Sequence, residues 1–415
     1  MEMKNTQPIK TLIAGIGGFA ASHHGVFQSL EERGLVRVIG TCDPEFEKHA
    51  DVAQECSFEK RGVAVHRSFE AMLEAHRGGF DLGVVATPIH CHASMHKALV
   101  EAGAACYLEK PPTLDPVELL RMLEIEKKAN FATNVGFLLA TARDRIALKR
   151  RMVSGEFGSL KAMSFLGLAP RSRDYFARNG WAGRLVVGGS LVLDSCLGNA
   201  LSHFLNSMFF FGGFENLWSR ARPESMACEL YRANRIEGAD TVFAICGLQG
   251  GIQLRIAASH ACLLERQTTE ERLDFENANV TILDSTKCRI EFHDGAVEES
   301  ILAPPSLADC VESYVAYLQK RAARPPQTLA ESAPLVEANA MFYCAARTIH
   351  TIPIDGEGGD FAGFANCLLA CERLVGEGLL PSSAGFLWSR AGGRCLAVDA
   401  GGIRDIVHAM IAKTC

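Results

Sequence analysis

Uninterrupted apolar runs alternate with amphipathic stretches through the first third of the chain, at a spacing of roughly 30 residues. Runs such as Leu82-Gly83-Val84-Val85-Ala86 fit strands covered on both faces, and the amphipathic stretches fit the helices that cover them. The pattern predicts strands over residues 9–14, 36–42, 63–66, 82–86, 104–108 and 131–135, with helices over 21–32, 94–102 and 116–129. That alternation is the βαβ signature of a doubly wound parallel sheet. Beyond residue 136 the pattern changes. A helix over 145–153 leads to a strand over 160–168, a polar and aromatic stretch over 171–184, and a helix over 199–211. From 216 to 301 the alternation is mostly of period two, with turns at Gly250-Gly251 and Asp294-Gly295, which predicts a mainly antiparallel sheet. Helices over 306–321 and 330–349 follow, and the tail beyond 356 reads as helix plus irregular structure. The fold class is therefore α/β, a doubly wound parallel sheet followed by an α+β domain with a large, open, mainly antiparallel sheet. The expected domains are 1–137, 138–355 and a C-terminal extension over 356–415 packed on them.

Composition narrows the function. The 415 residues suffice for two cores, and 48% hydrophobic with 22% charged residues is an ordinary globular balance. A formal net charge of -6 supplies no footprint for nucleic acid or an anionic membrane. No apolar run is long enough to span a bilayer; the greasiest, 205–211, is closely flanked by His203 and glycines and is interrupted by Asn206. With no signal-peptide pattern at the start, a cytoplasmic location is expected. The 15 cysteines are scattered without a CxxC pair, so buried thiols are expected rather than a disulfide scaffold. Cys367 and Cys371, one helical turn apart, make only a weak zinc half-site.

Candidate chemistry begins in the loop after the first strand, Gly15-x-Gly17-Gly18-x-Ala20. Gly15 permits a tight turn, Gly17 lets backbone approach a pyrophosphate, and Ala20 lets the following helix pack closely with its N-terminus toward the anion. Asp43 ends the second strand, where a carboxylate accepts hydrogen bonds from ribose hydroxyls and repels a 2′-phosphate. No Arg or Lys follows it directly, so NAD is favoured over NADP. Downstream stand Ala86-Thr87-Pro88 with His92, then Ala98-Leu99, Ala102-Gly103 and Glu109-Lys110-Pro111-Pro112.

That ordered series resembles the N-terminal domain of the Gfo/Idh/MocA oxidoreductases, the glucose–fructose oxidoreductase and inositol dehydrogenase family. The resemblance implies a Rossmann domain over about residues 1–137. Next comes an open-faced sheet domain that carries the substrate side and usually the oligomer contact, so a homodimer or homotetramer is expected. It implies that Gly15, Gly17, Gly18, Ala20, Asp43, Thr87, Pro88, His92, Glu109 and Lys110 border the cofactor. The resemblance places Lys110 near nicotinamide and substrate, where a partly desolvated amine beside a positive ring is a better proton acceptor. His90, His92 and His96 have spacings that suit a metal, yet no carboxylate or cysteine completes the set, so no metal is expected.

The family's substrate helix carries an aspartate, a histidine four residues on, and a second aspartate three later. Two registers compete. Aligning on Asp194 puts Gly198 at the histidine position; aligning on His203 puts Asn199 and Asn206 at the aspartate positions and Gly212 at the terminating glycine. The second is preferred, with Asn199 and His203 sharing a helix face and Asp194 in the preceding loop. An asparagine takes no proton, so His203 and Lys110 are the expected acid–base pair. Arg171, Tyr175, Arg178 and Trp181 suit a polyhydroxylated or anionic substrate, or else form an arm that contacts another subunit.

The function expected is NAD-dependent hydride transfer from a secondary hydroxyl of a sugar, cyclitol or sugar derivative. Two alternatives stay open: an NAD-dependent glycosidase working through a transient keto-sugar and elimination, and a non-catalytic nucleotide-sensing regulator.

Overall fold

The computed structural model describes residues 7–354 and 361–412. The chain divides into two compact units.

The first unit comprises Met1–Thr113, Glu118–Thr141 and Ser306–Ser332. Its sheet contains β1 (Ile9–Ala14), β2 (Val36–Cys42), β3 (Ala64–His66), β4 (Leu82–Val85), β5 (Ala105–Leu108) and β6 (Asn134–Val135). All pairings are parallel, in the order β3-β2-β1-β4-β5-β6. Central strands β4 and β5 are buried throughout, the property that made them legible as apolar runs. Order reverses between β1 and β4, so the loops after these two strands flank the crevice in which such sheets bind ligands.

One helix of this unit comes from far along the chain. Residues 306–332, which the sequence pattern leaves within 138–355, cluster with the first unit instead. The cause is burial: Cys310, Val311, Tyr314 and Val315 of helix Leu307–Leu318 join the core of Phe27, Val84 and Tyr107. The Arg33 guanidinium grips the Glu312 carboxylate at its surface, at 2.6 and 2.8 Å.

The second unit comprises Leu114–Val117, Ala142–Pro305 and Ala333–Cys415. Its strands are β7 (Leu160–Leu168), the short hairpin β8 (Val186–Val187) and β9 (Ser190–Leu191), β10 (Pro223–Arg232), β11 (Thr241–Leu248), β12 (Gln253–Ser259), β13 (Thr268–Phe275), β14 (Ala278–Leu283), β15 (Lys287–Phe292), β16 (Val297–Ile301), β17 (Ile349–Thr351) and β18 (Gly393–Cys395). The large sheet runs β16-β15-β14-β13-β7-β12-β11-β10-β17, with β18 also on β10. Only β7–β12 and β10–β17 are parallel; the rest pair antiparallel, as the period-two pattern predicts.

Alternation along β7 assigns the two faces of this sheet. Phe165 stacks on Phe204 of helix Ser202–Gly212, at 5.3 Å between ring centroids. Leu166 and Leu168 point the other way, into a core shared with Phe364, Cys367, Ala370, Cys371 and Leu374 of the tail. The tail therefore lies on one face of its own sheet. Trp388 sits edge-on to Tyr231 and Phe364, at 5.2 and 5.0 Å, while Ser382 bonds the buried Glu229. Arg404, on helix Ile403–Ala412, pairs with the buried Asp115 at 2.5 Å and donates to the Gly189 carbonyl at 3.0 Å. Cys367 and Cys371 are core thiols, and no cluster of three metal-ligating residues occurs among the described residues. Nor, among them, is any helix long and apolar enough to cross a membrane.

Trp388→Ala removes the ring that joins the tail to Tyr231 and Phe243. It is expected to lower the urea-unfolding free energy by about 3 kcal/mol and to raise binding of a hydrophobic dye. Unchanged unfolding would show that the tail adds nothing to the stability of the sheet.

Candidate functional site

The glycine loop follows β1 directly, and its shape is imposed by close neighbours. Gly15 has φ of 100°, and a Cβ there would stand 2.6 Å from the Ala86 carbonyl oxygen, so only glycine fits. A Cβ on Gly17 would meet the His49 ring at 2.2 Å. Gly18 precedes helix Phe19–Glu32 at φ of 58°, and Ala20 is fully buried where that helix packs. Asp43 lies beside this loop: Oδ2 accepts from the Ile16 amide at 3.1 Å and Oδ1 from the Glu45 amide at 2.9 Å. A backbone cradle at a helix N-terminus with a carboxylate at the next strand end fits the pyrophosphate and ribose of a dinucleotide.

Thr87 and Pro88 follow β4 at the other side of the switch point, both accessible to solvent. His92 is 1% exposed and braces two loops, with Nε2 2.8 Å from the Thr87 carbonyl and Nδ1 2.9 Å from the Pro111 carbonyl. Burial lowers its pKa, opposed by those carbonyls and by Glu109; a neutral ring donates to only one of the two at a time. Glu109 is likewise turned inward: Oε1 meets His23 Nε2 at 2.8 Å, and Oε2 accepts the Lys110 amide at 3.2 Å. Lys110 is partly exposed, at the C-terminal end of β5, and its bond to Pro111 is cis. The backbone of Lys110 is thus held from behind by Glu109 and His23, and the next peptide by His92.

In the second unit the helix expected from 199 begins at Ser202 and ends at Gly212. Asn199 sits in the preceding turn because Ser202 Oγ caps the Asn199 carbonyl at 2.6 Å and the Leu201 amide bonds Cys196. The regular i,i+4 face expected for Asn199 and His203 is therefore replaced by a turn followed by the first helical turn. His203, in that turn, is partly exposed, whereas Asn206 is buried. Asp194 lies in the loop ahead of the turn, 4% exposed, with Oδ2 accepting the Gly183 amide at 2.6 Å.

That bond ties the arginine-rich segment to the helix approach. Ser172 Oγ caps helix Arg173–Ala177, and Asn179 Oδ1 accepts the amides of Trp181 and Ala182 at 3.1 and 2.8 Å. Tyr175 is flanked by two guanidiniums, Arg178 at 3.5 Å and Arg171 at 5.0 Å, and Arg178 also faces Trp181 at 5.4 Å. His260 packs against Tyr175 and Phe176, with Nδ1 2.6 Å from the Ala169 carbonyl. Burial, reinforced by Arg171, pushes its pKa down to about 3, so it is a neutral wall.

Sequence pattern missed the groups that hold these elements: His23 and His49 in the first unit, Arg145 and Lys149 in the second. Arg145 is 1% exposed, forks onto Glu271 at 2.8 and 2.6 Å, and donates to Ser207 of the His203 helix at 2.9 Å. Lys149 donates to the Phe211 and Gly213 carbonyls at the C-terminus of the same helix, and burial lowers its pKa to about 7. Their signal was present: two cations at i,i+4 on one helix face, which hydrophobic periodicity does not register.

Residues 9–137 match a family described as an oxidoreductase family with an NAD-binding Rossmann fold. No curated protein matches the chain by sequence. Solved structures match in fold. The WlbA dehydrogenase of Bordetella pertussis, in complex with NADH and UDP-GlcNAcA, has TM-score 0.65 at 19% identity, over 81% of this chain and 96% of that one. The UDP-N-acetylglucosamine 3-dehydrogenase GnnA of Acidithiobacillus ferrooxidans has TM-score 0.63 at 18% identity, over 81% and 96%. An oxidoreductase domain protein of Kribbella flavida has TM-score 0.69 at 16% identity, over 82% and 97%.

Acid should act on the first unit through buried imidazoles. His24, bonded to the Gly15 carbonyl at 3.0 Å, and His96, on Thr133 at 3.1 Å, are both lowered to about 4, chiefly by burial. The unfolded chain binds their protons below about pH 6.5, so stability present above that pH is lost as pH falls toward about 4, with a slope of roughly 2–3 kcal/mol per pH unit near pH 5. Thermal unfolding followed from pH 7 to pH 4.5 should show a falling midpoint, and His96→Gln should flatten the fall. An equal slope in that variant would rule His96 out as a source.

Proposed function

We propose, on the match of residues 9–137 to the NAD-binding Rossmann family of the Gfo/Idh/MocA oxidoreductases, that the chain is an NAD-dependent dehydrogenase oxidising a secondary hydroxyl of a sugar, cyclitol or sugar derivative. The observation that carries the reading is Lys110: a partly exposed amine at the end of β5, on backbone pinned by Glu109, His23 and His92. Bound NAD supplies the hydride acceptor. The neutral Lys110 amine takes the hydroxyl proton as the carbonyl forms, and the ammonium then donates a hydrogen bond to the new oxygen. His203 is the second proton-carrying group, and Asn199, short of a carboxylate, contributes hydrogen bonds alone. Tyr175 and Trp181 offer faces to the C–H surfaces of a ring, and Arg171 and Arg178 offer donors to its oxygens. WlbA was solved with UDP-GlcNAcA and GnnA is a UDP-N-acetylglucosamine 3-dehydrogenase, which supports a sugar derivative as substrate here.

Removing the proton acceptor should cost turnover and spare nucleotide binding. Lys110→Met is expected to lower kcat by about 10²–10⁴-fold with the NADH Kd unchanged, and His203→Asn to lower kcat and flatten the pH profile. NADH accumulating in step with substrate consumed identifies net oxidation. Full activity in Lys110→Met would remove the amine from the mechanism.

A further inference from the structure

A groove of about 1150 Å³ opens in the second unit, where the arm over 171–184 meets the loop between β10 and β11. Four arginines line it: Arg173, Arg184, Arg232 and Arg235. The lone carboxylate among its described lining residues, Glu237, is paired with Arg184. Arg232 is buried and shapes the wall, donating to the Ile236 and Glu237 carbonyls at 3.1 and 3.2 Å. Arg173 and Arg235 are exposed and make no ion pair among the described residues. Arg178 on the adjoining arm is also exposed and Arg171 half-buried, and neither makes an ion pair among the described residues.

Both unpaired arginines stand on backbone that is already fixed. Arg173 opens a helix capped by Ser172, and its segment is tied down by the Asn179 turn and by Asp194 on Gly183. Arg235 projects from a loop clamped by the buried Asp240, which accepts from the Ala233 and Asn234 amides and from Asn234 Nδ2 at 2.8–3.1 Å. An oxyanion in the groove offers such guanidiniums charge-assisted hydrogen bonds without moving the backbone. Uncharged sugar hydroxyls bring no opposite charge.

We propose that this groove is an anion subsite, taking the phosphate or carboxylate oxygens of the substrate. The proposal rests on the dehydrogenase reading and narrows its substrate class to acidic sugar derivatives. Two sources share the chemistry, the diphosphate of a nucleotide sugar and the carboxylate of a sugar acid.

The test is calorimetric titration of the full-length protein, saturated with NADH, with inorganic pyrophosphate in one arm and glucuronate in the other. Wild type should bind one of the two with an affinity that weakens as salt rises. Arg173→Ala/Arg235→Ala should weaken it by about tenfold or more, and the Lys/Lys pair should restore most of it. Both positions are exposed, so an unchanged thermal midpoint certifies the fold. Equal affinity in wild type and the alanine pair, or binding of neither anion, overturns the proposal. Repeating the anion titrations without NADH keeps the comparison intact should NADH not bind, and NADH formed in step with sugar consumed reads the dehydrogenase premise separately.

Discussion

The close approach of the loop after β1 to the loop after β4 is the constraint on which the nucleotide half of this protein depends. Parallel pairing of β1 with β4 brings Ala14 opposite Val85, and the Ala86 amide bonds back to the Ala14 carbonyl at 3.0 Å. The next residue has no room for a side chain, with the Ala86 carbonyl 2.6 Å from where its Cβ would be. Glycine at 15 is thus a packing requirement of the sheet as much as a device for approaching phosphate. The same positions set the bottom of the crevice, since His24 hydrogen-bonds the Gly15 carbonyl from below and Thr41 bonds the Ile13 carbonyl beside it.

What was legible in the chain followed from burial on two faces. β1, β2 and β7 have the limits the apolar pattern predicts, because each is flanked by polar turns and filled with residues that alternate or run apolar. The start of the His203 helix was misplaced by three residues, since serine at 202 caps the preceding turn and periodicity does not see a cap. Helix Leu307–Leu318 was visible as a helix yet not as a member of the first unit. Its apolar face would suit any core, and only Tyr107, Phe27 and Val84 identify which. The glycine loop and Asp43 stand out by spacing and Lys110 by the resemblance of its Glu-Lys-Pro setting; the bonds behind Lys110, His23 to Glu109 and His92 to the Pro111 carbonyl, join residues up to 86 apart.

Positive charge is partitioned in the second unit by burial. Arg145 and Lys149 are inside, and each is satisfied: one by a bidentate carboxylate and a hydroxyl, the other by two carbonyls at a helix end. Removing Glu271 would strand the buried Arg145 charge at a cost of about 3–5 kcal/mol, so that pair is a fixed point beside the His203 helix, while Lys149 holds the carbonyls at its end. Arg171, Arg173, Arg178 and Arg235 are the opposite case. They sit at or near the surface on braced backbone, without carboxylates among the described residues. Water solvates the exposed Arg173, Arg178 and Arg235 at little cost, so fold stability does not demand their charges. Arg171 and Arg178 also stack on Tyr175, and Arg178 on Trp181, whereas Arg173 and Arg235 make no ion pair among the described residues.

The tail changes what the large sheet can do. A sheet with one face on helices ordinarily leaves the other open to water or to a second protein. Here Leu166, Leu168, Tyr231 and Phe243 on that second face are buried by Phe364, Cys371, Leu374 and Trp388 of the same chain. β18 then lengthens the pairing along β10, and Arg404 ends the path on Asp115, just beyond the Lys110-Pro111-Pro112 turn in sequence. Asp115 is therefore held by the far end of the chain. Asp115 Oδ1 also accepts the Val117 amide at 2.9 Å, so its carboxylate joins a local turn to the tail helix in one contact. The tail thus covers the second face of its own sheet and, through Arg404, neutralises a buried carboxylate that would otherwise be costly to desolvate.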